Sequence, residues 1–276
     1  DTTNRDGSYR PNRQRNNQII HHTMLHYNTW TIEQDEWLPE QETQLEQQLT
    51  FSNDYLCQTA HFEEHYSLSP RLCTYIKGID TPILNISAIS VRLHDERLDL
   101  GEWTVRDFYR CLHKNQPLLE RRFIATSPLG HTLEITAQRR LLSDKKEAMQ
   151  LIYSVRSLDY TGPITILAVL RGGEEAEKWY SLMNFVGDEL CWTWEQMQPM
   201  NLQVCCAMNY QLFKNGNLVT QRPIKVEKQE VIGYSITQDI RPNDTFTLHK
   251  NVVVLDSLRN DKDTLIDHTV QCLINW

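Results

Sequence analysis

The stretch Thr132-Leu133-Glu134-Ile135-Thr136-Ala137 decides the fold class, because apolar and polar residues alternate through it without a break. Successive side chains of a strand point to opposite faces, so this pattern describes a strand with one buried face. Working outward, Leu118–Ala125 repeats the signal on one side, entered through Pro117, and Leu129-Gly130 marks the turn between the two runs. Trp103–Leu112 is a long run of the same kind. Ile89-Ser90-Val91-Arg92-Leu93 alternates strictly and, through His94-Asp95-Glu96, forms a hairpin with Arg97–Leu100. On the other side, Met149–Val155, Ile164–Leu170, Leu202–Phe213, Val231–Ile240 and Phe246–Leu255 read as strands. Thr161-Gly162-Pro163, Asn215-Gly216-Asn217 and Arg241-Pro242-Asn243-Asp244 separate them. Asn-Gly between two apolar runs is a strong hairpin signal. Leu49–Leu56 also shows apolar alternation before Tyr55. More than ten strands with no βαβ rhythm predict an all-β, large antiparallel sandwich.

Three segments depart from this pattern. Residues 1–23 are rich in Asn, Arg and Gln and nearly free of apolar residues before Ile19, so they are expected to be a disordered extension, with Met24 as the natural start. Glu174–Asn184 reads as a short helix or a crossing loop with Trp179, Leu182 and Met183 on one side. Asp261–Trp276 reads as a helix capped by Asp261 or Asp263, with Leu265, Ile266, Val270, Leu273 and Ile274 at helical spacing. A helix that opens at the end of a β domain and stops without a cap points to a cut inside a longer protein.

Composition narrows the function classes. The net charge of −8 argues against nucleic acid or an anionic membrane surface as the main partner. No apolar run reaches the roughly 18 residues of a membrane span, and no signal-peptide core opens the chain. Seven cysteines, odd in number and irregularly spaced within apolar runs, read as free thiols of a cytoplasmic protein.

Motifs for chemistry are few. His61-Phe62-Glu63-Glu64-His65 fits a zinc pattern, but two histidines four apart share a metal only on a helix, and this segment lacks helical context. It reads instead as a loop that packs Phe62 and pairs its charges. Cys205-Cys206 point to opposite faces of a strand and do not share a metal. The adjacent carboxylates Glu63-Glu64, Asp95-Glu96 and Glu174-Glu175 read as turn caps or edge charges rather than acid–base partners. His21-His22 reads as solvated. No phosphate loop, dinucleotide fingerprint or nucleophile elbow is present. Trp192 and Trp194, two apart, are the candidate sugar-binding residues, since an aromatic platform stacks on a sugar ring. A sandwich core or a docking face is the alternative. No catalytic, cofactor or metal residue is assigned.

Five segments in order carry a resemblance. Trp30–Glu36 resembles the opening strand of family 65 disaccharide phosphorylases. Phe51-Ser52-Asn53-Asp54-Tyr55-Leu56 resembles the family's F-x-x-G-N-G-Y-x-G segment, with Ser52 and Asp54 in place of its glycines. Phe62-Glu63-Glu64 with Thr74-Tyr75-Ile76-Lys77-Gly78 resembles F-E-E … T-Y-I-x-G. Leu98-Asp99-Leu100 with Asp107-Phe108-Tyr109-Arg110 resembles F-D-L … D-Y-x-R. Asp159-Tyr160-Thr161-Gly162-Pro163-Ile164 resembles N-Y-S-G-x-I. The resemblance runs from about Trp30 to the end of the chain.

It implies a galactose mutarotase-like super-sandwich over residues 24–260, followed from residue 261 by the start of a helical linker to an (α/α)6 catalytic barrel that these residues do not contain. In that family the barrel performs inverting phosphorolysis of an α-glucoside such as maltose, trehalose or kojibiose. An acid protonates the leaving oxygen while phosphate, the co-substrate, attacks the opposite face of the sugar. The resemblance thus implies a non-catalytic N-terminal domain, inactive alone, that braces its own barrel and helps form a homodimer. The alternatives are a free-standing carbohydrate-binding sandwich, the N-terminal domain of an α-glucoside hydrolase, and a small metal hydrolase built on His61 and His65.

Overall fold

The structure is a computed structural model that describes residues 25–64, 73–172, 178–197 and 201–276. The proposed extension 1–23, Met24, His65 and Glu174-Glu175 lie outside the described residues. Among the described residues, antiparallel sheets dominate, as the alternating runs predict. The largest has eleven strands. Its main path runs Leu25–Tyr27, Thr31–Gln34, Thr104–His113, Leu118–Thr126, Thr132–Leu141, Ala148–Ser157, Thr245–Asp256, Leu202–Lys214, Leu190–Met197 and Lys178–Val186. A five-stranded sheet runs Ile224–Lys228, Val231–Ile240, Gly162–Arg171, Ile89–Leu93 and Glu96–Arg97. A small sheet joins Phe51–Ser52, Leu56–Gln58 and Thr74–Ile76.

The core lies between the first two sheets. Leu151, Val155, Leu248 and Val252 on the large sheet share one apolar cluster with Ile164, Ile166, Ile232 and Ile236 on the smaller one. Alternation assigns these faces, since the intervening positions Ile152, Ser154 and Thr165 are only half-buried. Gly233 marks where the smaller sheet is tightest. A Cβ there would stand 2.1 Å from the Ala168 carbonyl oxygen.

Local signals explain the corners. Asn215 and Gly216 take φ of 50° and 80° and leave Lys214 paired with Asn217, the left-handed two-residue turn that Asn-Gly favours. Asn53 holds its turn without the family glycines. Its side-chain oxygen accepts from the Tyr55 and Leu56 amides, and its amide group donates to the Leu142 and Lys146 carbonyls. Neither Ser52 nor Asp54 needs a left-handed backbone there.

Three expectations are corrected. The region read as a helix or crossing loop is, over its described part, the strand Lys178–Val186 at the edge of the large sheet. Met183 and Phe185 point to the core while Leu182 and Val186 remain exposed. Apolar residues on both faces of an edge strand imitate helical spacing. Leu49–Leu56 is not one strand. Helix α1 (Glu42–Gln48) ends at Leu49, and the short strands at Phe51 and Leu56 follow. The C-terminal helix α2 is shorter than expected, Leu265–Ile274, and no side chain caps it. The Asp261 carboxylate accepts instead from the Asp263 amide, in a turn before the helix. Leu265, Val270 and Leu273 are buried against the outer face of the large sheet, while Ile274 is exposed.

Candidate functional site

Three arginines occupy inward positions on neighbouring strands of the large sheet. Arg110 shares a face with Phe108 and Leu112, Arg121 with Leu119 and Phe123, and Arg139 with Ala137 and Leu141. Arg110 and Arg121 are direct register partners. A guanidinium cannot be deprotonated to escape burial, so each needs full pairing. Arg110 donates through Nη1 to Glu42 Oε1 at 2.6 Å and through Nε to Gln34 Oε1 at 3.0 Å. Arg121 donates to Glu63 and to Glu64 Oε2, the latter at 2.6 Å. Arg139 Nε faces Glu63 Oε1 at 3.0 Å and its Nη2 donates to the His61 carbonyl at 2.6 Å. The Tyr153 hydroxyl donates to Glu64 Oε1 at 2.5 Å. Phe62 lies under the Arg121 guanidinium at 4.5 Å.

The loop thus packs Phe62 and pairs its charges, as the sequence suggests. One detail differs. Glu63 and Glu64 are neither turn caps nor edge charges; a loop backbone lets both converge on one guanidinium. They are also no acid–base pair for a sugar. Glu63 and Glu64 are 3% and 2% exposed, so no glycosidic oxygen reaches them. Burial raises the Glu63 pKa, but Arg121 and Arg139 outweigh it and hold the carboxyl at about 2. Burial and the neighbouring Glu63 charge push Glu64 up against the pull of Arg121.

His61 meets Cys73 at 3.0 Å and Ser87 at 2.7 Å. Such a thiol–imidazole pair is nucleophilic only as thiolate and imidazolium. Here burial and the Arg139 charge hold the imidazole neutral, and burial pushes the thiol up. Both side chains are at most 1% exposed. The pair is structural. Deeper in the core, Lys250 donates to the Val169 and Ala88 carbonyls at 2.6 and 3.2 Å, tying the two sheets together. Burial pulls its ammonium down to about 7.

The outer face is different. Cys205 and Cys206 do point to opposite faces: Cys206 joins the inner core and Cys205 the cluster beneath α2. Trp192 and Trp194 share the outer face of Leu190–Met197, half-buried against that same α2 cluster. Leu182 lies opposite Trp194 on the edge strand. Near the other edge, Cys111, His113 and Glu120 bring ligand atoms within 4.8 Å of one another. Sequence reading passed over this group and over the buried arginines. Parity was the available signal: Arg110, Arg121, Arg139 and Lys250 fall in phase with apolar neighbours, and Cys111-x-His113 share a face by alternation.

The motifs quoted above thus have structural places. Asp107 has φ of 52° at a bulge between Arg106 and Tyr109, which sets the phase of Arg110. Tyr160 packs over Gly162, where a Cβ would stand 2.6 Å from its hydroxyl.

Comparison with known proteins agrees. The model of glycosyl hydrolase family 65, N-terminal domain, matches residues 32–273. An alpha,alpha-trehalose phosphorylase of Thermoanaerobacter brockii is 19% identical over 279 residues, covering 87% of this chain and 36% of the relative. A solved structure titled "Putative kojibiose phosphorylase from human microbiome" superposes with a TM-score of 0.76 at 16% identity, over 91% of this chain and 36% of that one. The chain therefore spans about a third of the length of these relatives. With a family model matched over most of its length and a super-sandwich of the same fold, the chain belongs to glycosyl hydrolase family 65 as an N-terminal domain.

Proposed function

We propose that this chain is the non-catalytic N-terminal domain of an inverting phosphorylase that cleaves α-glucosides such as maltose, with inorganic phosphate as co-substrate and no cofactor in the reaction. One observation carries the reading: the titratable groups of the F-E-E segment, His61, Glu63 and Glu64, are buried and spent on partners within the core. The relatives' names supply the substrate class, glucose disaccharides cleaved by phosphate. In this reading α2 opens the connection to a barrel carried in cis. The sandwich braces that barrel, the enzyme pairs as a homodimer, and it works in the cytoplasm, where its seven free thiols stay reduced.

The test is to read the coding sequence beyond Trp276 and to assay the protein it encodes. The reading requires a helical barrel downstream and phosphate-dependent release of glucose 1-phosphate from maltose, trehalose or kojibiose. A frame that stops within a few codons overturns it.

A second reading, sugar binding by the sandwich itself, draws on the shared outer face of Trp192 and Trp194. Saturable quenching of tryptophan fluorescence by maltose, lost in Trp194→Ala, supports it; unchanged fluorescence removes it.

A further inference from the structure

Cys111 and His113 project from the outer face of Thr104–His113, two residues apart. Glu120 stands directly opposite Cys111 on the strand to one side, and Glu33 directly opposite it on the strand to the other side. Three adjacent strands therefore bring a thiol, an imidazole and two carboxylates to one patch. The His113 Nε2 atom lies 3.9 Å from Cys111 Sγ and 2.7 Å from Glu120 Oε2. Tetrahedral zinc, with bonds of about 2.3 Å to sulfur and about 2.0 Å to nitrogen and oxygen, sets those separations near 3.5 and 3.3 Å. Those two separations thus differ from the zinc values by about 0.6 Å or less.

The surroundings hold these groups from outside, as metal ligands require. Gln138 Nε2 donates to Glu120 Oε1 at 2.8 Å, and Thr31 Oγ1 donates to Glu33 Oε1 at 2.5 Å. Cys111 is buried while His113 and Glu120 are half-exposed, which leaves a route in from solvent. A sulfur, nitrogen and oxygen donor set suits zinc-class dications and not magnesium or calcium.

We propose that Cys111, His113 and Glu120 form a zinc-class divalent-cation site, open to a solvent ligand in the fourth position, that staples neighbouring strands near the edge of the large sheet. On binding, the Cys111 thiol gives its proton to solvent and the cation takes the thiolate. The site lies apart from the sugar chemistry proposed above and stands or falls separately from it.

The experiment titrates the chelator-treated chain with Co2+ and Zn2+. The expected result is one Co2+ per chain with a thiolate-to-cobalt charge-transfer band, displaced by Zn2+, and a higher melting temperature. Cys111→Ser abolishes the band. His113→Ala and Glu120→Gln each weaken binding by about tenfold or more, and Cys57→Ser and Cys272→Ser, at the two partly exposed thiols, leave it unchanged. The three-variant set guards against one that fails to fold. No charge-transfer band at stoichiometric Co2+, or a band that survives in all three variants, overturns the site.

Discussion

The large sheet presents two kinds of interior on one face. Toward the five-stranded sheet, Leu151, Val155, Leu248 and Val252 meet other aliphatic side chains. Toward the segment containing α1 and Phe62, Arg110, Arg121 and Arg139 meet Glu42, Glu63 and Glu64. The aliphatic half is held by non-directional burial, so its stability follows volume and area. The ionic half has taken charges out of water and is stable only while each keeps its partner. Apolar pairing therefore sets how the sheets stack, and ion pairing fixes where the N-terminal segment sits across them.

The largest expected break is Arg121→Met. It leaves Glu63 with only Arg139 and Glu64 with only Tyr153, and removing one member of a buried ion pair costs about 3–5 kcal/mol. Denaturant unfolding at pH 7.5 (about neutral, where free carboxylates ionise) measures it. A loss below about 1 kcal/mol would mean the network behaves like surface charge. Leu248→Ala breaks the other half. Leu248 is fully buried, and the change costs about 3 kcal/mol through lost burial and a cavity. Its cost stays nearly constant with pH. The Arg121→Met cost shrinks as pH falls through the carboxylate range, because protonation relieves the orphaned charges. Equal pH profiles for the two variants would erase the distinction.

A smaller effect comes from Lys250. Its pKa is depressed from 10.5 in the unfolded chain to about 7 in the fold. Above pH 7 the unfolded state therefore binds more protons, so stability rises with pH, by at most about 1.4 kcal/mol per unit. The rise ends near the ordinary thiol range. Burial pushes Cys191 and Cys205 up to about 12, so there the folded state binds more protons and stability falls. Lys250→Met flattens the rise between pH 7 and the thiol range (about 8.5); an unchanged slope would place its origin elsewhere.

Much of the fold was legible because alternation is a local signal. Thr132–Leu141 and Val231–Ile240 form where their patterns place them. Lys178–Val186 was not, because an edge strand with apolar residues on both faces lacks a clean period. Helix α1 was hidden by the apolar run that follows it. The buried charges were legible only in part. Phe62-Glu63-Glu64 announced a charge-pairing loop, but its partners lie far along the chain, at Arg121 and Arg139, where register alone unites them. Parity flags such arginines as inward, yet naming their partners needs the three-dimensional pairing.

The most direct test of the central claim, an accessory rather than catalytic domain, is a phosphorolysis assay of the isolated chain with phosphate and maltose, trehalose or kojibiose. The account predicts no glucose 1-phosphate and no free glucose above the uncatalysed background, from a chain that is folded by circular dichroism. Turnover that follows the chain through purification would contradict it and would require a catalytic carboxylate within these residues.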